Sequence, residues 1–322
     1  MSETDADRYP FGYEDDELER LGDQHGVWQE QNQGFLSRAG FKEGDTLVDL
    51  GCGPGFTTLD LARRVGPKGR VIAVDRDGEK SIPRLQQVAD RAGLRNVETR
   101  VADLERFDLP SESVDGVYGR WVLMYLPEDE VGPLIVRIAR WLKPGAACAL
   151  AEFCNYRHIT VYPRAEHLDP VAEALMRAAG AHGGNPEIGN VLPGLLDQAG
   201  LRVQMGVVAK AIRPTMPEWS WPNALFRQLL PTLVDAGHLT QEVLSSFLAE
   251  WEVRCQDPAT VFFSSPVMET VDCDLFSGLE FFEVTVTDPQ DNADTISATF
   301  ESATCESGCV ENDEGTEPCP SN

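Results

Sequence analysis

Leu47–Val48–Asp49–Leu50–Gly51–Cys52–Gly53–Pro54–Gly55 decides how the rest of the chain is read. It opens with a short apolar run that suits a strand buried in a parallel sheet. Three glycines spaced two apart follow, and Phe56 to Val65 then carries apolar residues at helical intervals. Strand, glycine turn and helix together bring a backbone close to a nucleotide-like ligand. A Cβ in the turn would hold that ligand off. A dinucleotide pyrophosphate calls for G-x-G-x-x-G, whereas the spacing here is G-x-G-x-G, and Asp49 at the strand end would repel the phosphates. A ligand with positive charge beside its nucleoside suits that acid better.

Working outward, the helix stops at Gly66–Pro67–Lys68–Gly69. Arg70–Val74 reads as the second strand, with Asp75 at its end, one βαβ crossover beyond Asp49; an acid there can accept both hydroxyls of a ribose. Ser81 reads as an N-cap with Pro83 in the first turn. Val97–Val101 is the third strand, followed by Asp103 and Leu104. Val114–Gly119 is the fourth, followed by Arg120, Trp121 and Tyr125, and Ala146–Phe153 is the fifth. Strands alternating with helices at this spacing specify a parallel, doubly wound α/β sheet that binds ligands at its carboxyl edge. Downstream, helices are expected over 169–179 and 191–199, and a strand over 201–212. A helical insertion at 214–257 carries Trp219 and Trp221, and Ala259–Phe263 is expected as the last strand of a mostly parallel, seven-stranded sheet.

With these residues in place the chain resembles the class I methyltransferases that use S-adenosylmethionine (SAM), whose first motif is E/D-x-G-x-G-x-G. SAM carries an ammonium and a sulfonium, and a carboxylate at the strand end suits both. The phrases Asp16–Glu17–Leu18–Glu19–Arg20–Leu21, Gly119–Arg120–Trp121–Val122–Leu123–Met124–Tyr125–Leu126–Pro127 and Gly184–Asn185–Pro186–Glu187–Ile188–Gly189 are similar to a group of small-molecule, ubiquinone/menaquinone methyltransferase-like enzymes. The resemblance covers about residues 11–270. It implies a Rossmann-like fold with a helical cap. It implies cofactor contacts at Asp49, Gly51, Gly53, Gly55, Asp75, Asp103, Leu104 and Arg120, with the acid after the third strand receiving the adenine amine. Residues after the fourth strand would then lie near the acceptor.

The net charge of −26 is concentrated at the ends. Residues 1–19 and 257–322 hold 23 of the 53 acids and one of the 27 bases, leaving 30 acids against 26 bases between them. A near-neutral body without a basic stripe is a poor match for nucleic acid. An acidic N-terminus without an apolar signal region, and the lack of an 18-residue apolar run, make a cytoplasmic protein without a membrane span the expectation. Eight cysteines are read as mostly reduced and unligated: Cys305 and Cys309 lie in an acidic tail without histidine, a weak pattern for a metal, and no metal is expected.

The organisation expected is a leader and cover helices over 1–40, a SAM-binding core over 41–213, the cap at 214–257, the last core strand within 258–275 and an acidic tail at 276–322. In that tail, 281–287 and 295–300 alternate like a hairpin, and the polar remainder reads as disordered. The function expected is methyl transfer to oxygen, nitrogen or carbon of a small, largely apolar acceptor. Trp121, Tyr125, Tyr156, Trp219 and Trp221 are its expected contacts, and Tyr9, Phe11 and Tyr13 could close over it. Base candidates are His158 and His167, which follow the fifth strand; His25 and His182 rank below them. An amide-directed enzyme would show Asn/Asp-Pro-Pro-Tyr/Phe after the fourth strand and a cytosine C5 enzyme Pro-Cys, and Gly119–Arg120–Trp121–Val122 is neither. A non-catalytic SAM-fold binder and a NAD-linked reductase stay open as alternatives.

Overall fold

The computed structural model describes residues 15–181 and 183–272. The leader aromatics, His182 and the hairpin expected in the tail lie outside the described residues. The chain begins with α1 (Asp15–Arg38), then alternates β1 (Thr46–Leu50), α2 (Phe56–Val65), β2 (Arg70–Asp75), α3 (Ser81–Arg91), β3 (Val97–Val101), β4 (Val114–Arg120), α4 (Glu128–Trp141) and β5 (Leu142–Phe153). There follow β6 (Thr160–Tyr162), α5 (Leu168–Ala179), α6 (Leu192–Gln198), β7 (Val203–Val208) and β8 (Ala211–Ile212). The cap helices α7 (Ser220–Ala224), α8 (Leu230–Asp235) and α9 (Gln241–Gln256) come next, and β9 (Val261–Phe263) and β10 (Val267–Asp272) complete the order.

The main sheet has seven strands in the order β3-β2-β1-β4-β5-β10-β7. The first five are mutually parallel, and β10 is antiparallel to both neighbours, Thr270 pairing with Leu150 on one side and Met205 on the other. The central strands are buried on both faces, as their near-continuous apolar composition requires. The order reverses between β1 and β4. The crevice at that switch point is where the carboxyl-end loops of β1, β2 and β4 converge.

Two strand assignments from the sequence are corrected. The run 201–212 is not one strand: β7 stays in the main sheet, while β8 joins β9 and β6 in a separate three-stranded sheet, order β6-β9-β8. The expected last core strand, 259–263, is therefore β9 of that small sheet. The strand that enters the main sheet is Val267–Asp272. Two buried acids disguise it. Glu269 receives Gln31 Nε2 at 3.0 Å and pairs with Arg38, so it anchors α1 against the sheet. Asp272 Oδ1 accepts the Arg202 backbone N–H at 2.8 Å. Among the described residues no helix is long and apolar enough to cross a membrane.

Candidate active site

The three glycines after β1 take φ of 59°, 50° and 92°, in the left-handed region that favours glycine. Gly51 cannot be replaced for a second reason: a Cβ there would lie 2.2 Å from Val122 Cγ2. The turn is also tied to β2, because Asp75 Oδ2 accepts the Gly53 N–H at 2.7 Å while its Oδ1 accepts Asp77 N–H at 2.9 Å. Burial pushes the Asp75 carboxyl above its ordinary range, and these two N–H groups pull it back. Asp49, buried at the end of β1, accepts the Thr58 hydroxyl at 2.6 Å. Burial pushes it up to about 7, opposed by Thr58 and by the nearby charge of Arg120. Asp103 accepts the Glu105 N–H at 3.1 Å and stands 3.8 Å from Arg76.

These groups line one side of a cavity of about 240 Å³. Helix α1 roofs it. Arg20 Nε and Nη2 donate to the two carboxylate oxygens of Glu17, each at 2.6 Å, and Nη1 donates to Gln24 Oε1 at 2.9 Å. One turn on, His25 Nδ1 lies 3.1 Å from Arg120 Nη2, its Nε2 lies 3.4 Å from Asp60 Oδ2, and its ring stacks on Phe56. The guanidinium of an always-charged arginine can only donate. It therefore makes Nδ1 of His25 the acceptor and leaves the proton on Nε2, facing Asp60.

The other side of the cavity is aromatic. Trp121, the residue after β4, sits at φ 55° with its ring stacked on Phe153 (centroids 5.3 Å apart, planes 7° apart) and the Arg120 guanidinium 4.6 Å from its centre. Tyr156 meets Phe153 edge to face at 4.9 Å, and Trp221 meets Phe262 likewise at 5.8 Å. Burial pushes the Tyr156 phenol up to about 12 and that of Tyr125 well above its ordinary value, so both stay protonated at neutral pH.

The structure brings Asp49, Gly51, Gly53, Asp75, Asp103, Leu104 and Arg120 to this cavity, together with Trp121, Tyr125, Tyr156 and Trp221. Four sequence candidates are not among its lining residues. Gly55 packs on Leu85, where a Cβ would come within 2.2 Å. Trp219 stacks on Trp251 (4.8 Å, 10°) in the interior of the cap. His158 is exposed on the short turn Tyr156–His158, and His167, just before α5, holds Glu250 at 3.0 Å. Among the described residues, the histidine that lines the cavity is His25. Arg20 and Gln24, which the sequence reading does not single out, line it as well. Their signal is the i, i+4 spacing of Arg20 and Gln24, which places the two polar groups on one face of a helix, beside His25.

Residues 47–145 match the family model described as a methyltransferase domain. Phosphoethanolamine N-methyltransferase 1 of Triticum aestivum is 37% identical over 116 residues, which are 35% of this chain and 22% of that protein. The 2-phytyl-1,4-naphtoquinone methyltransferase of Nostoc sp. is 33% identical over 133 residues, 40% of this chain and 55% of its own. The chain thus spans about half or less of the length of these curated relatives. The solved structure of the YcgJ protein from Bacillus subtilis superposes with a TM-score of 0.50 at 14% identity, covering 78% of this chain and 99% of that one, and shares the fold. Sheet order and glycine turn give the Rossmann-like fold of the class I methyltransferases, and the family match lies within that sheet. The matched segment begins within β1, at Leu47, and reaches Gly145.

Proposed function

We propose that the protein transfers a methyl group from SAM to oxygen, nitrogen or carbon of a small, largely apolar organic acceptor. One observation carries the reading: a single cavity joins an acid-lined glycine turn to an aromatic pocket. SAM supplies an electrophilic methyl group on a sulfonium. Asp49 has the charge and position to hold the ammonium. Asp75 has unused lone pairs for the ribose hydroxyls, and Asp103 can accept from the adenine amine. Trp121, Tyr125, Tyr156 and Trp221 supply apolar walls with few polar groups, as small-molecule pockets do. The substrates in the names of the two relatives support a small-molecule acceptor, and the naphthoquinone of the second supports its apolar character. A cytoplasmic setting and the absence of a nucleic-acid partner belong to the same reading; the free thiols at Cys52, Cys148, Cys154 and Cys255 and the near-neutral body support them.

His25 replaces His158 and His167 as the imidazole nearest the chemistry. With Nδ1 engaged by Arg120, it serves first to orient that guanidinium; proton removal at Nδ1 would require Arg120 to swing away. An acceptor that ionises without help, or a nitrogen with a free lone pair, fits this arrangement best. The test has two parts. Calorimetry should show binding of S-adenosylhomocysteine (SAH), and incubation of a metabolite extract with methyl-labelled SAM should label a small molecule. No SAH binding would remove the cofactor assignment. SAH binding with transfer to RNA or protein in place of small molecules would remove the acceptor class.

A further inference from the structure

Glu152, near the end of β5, is fully buried, yet it does not line the cavity. Its Oε1 accepts two consecutive backbone N–H groups, of Val122 and of Leu123, each at 2.8 Å. Its Oε2 is equally buried and has no hydrogen-bond partner among the described residues. An acid in that position is costly. Burial pushes it up to about 7, against the pull of the N–H groups of residues 122–124. A core position occupied by so expensive a group calls for a reason beyond packing.

The reason lies in what those N–H groups carry. Val122 stands directly behind the glycine turn, close enough that a Cβ on Gly51 would lie 2.2 Å from its Cγ2. Trp121, one residue earlier, is the stacked wall of the aromatic pocket, held at φ 55° in a conformation that costs a bulky residue free energy and persists only when its surroundings impose it. The end of β5 imposes it at three successive residues. Ala151 O accepts the Trp121 N–H at 2.9 Å, Glu152 takes the next two N–H groups, and the Phe153 ring stacks on Trp121. Of these three, the carboxylate alone reaches the residue that braces Gly51.

We infer that Glu152 is a positioning residue that sets both halves of the site at once: through Val122 it fixes the glycine turn that meets the cofactor, and through the Trp121–Leu123 turn it fixes the aromatic wall. It touches neither ligand. The inference rests on the assignment of SAM to the glycine turn, and the test keeps the two apart.

The test compares Glu152→Gln with Glu152→Met in the full-length protein. The two side chains are close in length and volume, and glutamine keeps an acceptor oxygen for the two N–H groups while methionine has none. Hydrogen exchange of the ligand-free protein reads the turn directly. In Glu152→Gln the amides of residues 122 and 123 should stay protected as in the wild type. In Glu152→Met they should lose protection at least tenfold while β4 and β5 keep theirs. Calorimetry with SAH should then show Glu152→Gln within about threefold of wild type and Glu152→Met weaker by tenfold or more. Unchanged protection and affinity in Glu152→Met would overturn the inference. So would a Glu152→Gln variant as impaired as Glu152→Met, or a loss of protection that spreads through β4 and β5, which would make Glu152 a general core residue. Wild-type protein that shows the exchange pattern but binds no SAH would refute the cofactor assignment and leave the positioning of the turn standing.

Discussion

The two sides of the cavity are built in different ways. On the acid-lined side, each group follows directly from a strand: Asp49 is the penultimate residue of β1, Asp75 ends β2, and Asp103 stands two residues after β3. Their spacing in space is the spacing of parallel strands, which no distant part of the chain can alter. On the aromatic side, Trp121 and Tyr156 come from loops after β4 and β5, Trp221 from the cap and Phe262 from a strand of the second sheet. That side is assembled from segments far apart in sequence, and its shape depends on how they pack. The first design suits a ligand that does not change, and the second a ligand that differs from one enzyme to the next.

The comparison predicts that damage to the strand-built side is severe and damage to the assembled side is selective. The largest effect is expected from Gly51→Val. It combines a left-handed φ with a Cβ 2.2 Å from Val122 Cγ2. Loss of about 2–4 kcal/mol of folding stability is expected from overpacking together with backbone strain. SAH binding should fall below detection. Urea unfolding monitored by circular dichroism measures the first and calorimetry the second. A variant as stable as wild type would mean that the turn adapts freely, which would break the contrast.

Asp75→Ala comes next. The side chain holds the Gly53 N–H and offers its remaining lone pairs to a ribose. SAH affinity should fall by about 1–3 kcal/mol, the cost of losing a charged hydrogen-bond acceptor. Asp75→Asn sharpens the point. It keeps an oxygen for Gly53 but loses the charge, so it should recover part of the affinity. If alanine and asparagine bind SAH as well as wild type, Asp75 serves the turn alone and not the cofactor.

Trp221→Ala and Trp219→Ala divide the assembled side from its scaffold. Trp221 lines the cavity, whereas Trp219 stacks on Trp251 inside the cap. Trp221→Ala should raise the acceptor KM by about tenfold and leave SAH affinity within twofold, close to 1.4 kcal/mol on the acceptor alone. Trp219→Ala should lower Tm and leave KM nearly unchanged once the protein is folded. The reverse pattern would exchange the roles of the two indoles.

The sequence made the strand-built side legible because a strand end, an acid and a crossover of ordinary length are local facts. It was less informative wherever a tertiary contact decides. Trp219 and Trp221 differ by two positions in one turn-rich segment, and nothing local says which faces the cavity. Arg20 and Gln24 look like the solvated face of an acidic helix until α1 is laid across the crevice. The strand Val267–Asp272 is hard to see in the sequence because its acids break the apolar pattern, and they are tolerable only because Gln31, Arg38 and the Arg202 N–H meet them. His158 and His167 follow the fifth strand in sequence, but neither lines the cavity: His158 is exposed and His167 is held by Glu250.

An effect no larger than that of Trp221→Ala is a pH dependence that only the acid-lined side should show. Burial holds the Asp49 carboxyl near 7 in the ligand-free protein, against 3.8 for an ordinary aspartate. Between those values the folded state therefore binds more protons at this site than the unfolded state. The contribution of Asp49 to stability consequently falls as pH rises from about 4 to about 7 and is flat above that. Ligand binding has the opposite slope. An ammonium placed beside Asp49 favours the ionised carboxylate, so below pH 7 binding must release a proton. SAH affinity should rise about tenfold from pH 6 to pH 8, equivalent to about 1.4 kcal/mol, and level off at the upper end. Calorimetry in two buffers of different ionisation enthalpy should detect close to one proton released per site at pH 6 and almost none at pH 8. Glu152 titrates in the same range but meets no ligand, so Glu152→Gln should retain the slope and Asp49→Asn should abolish it. A slope that survives Asp49→Asn would place the proton elsewhere and remove Asp49 from the ammonium.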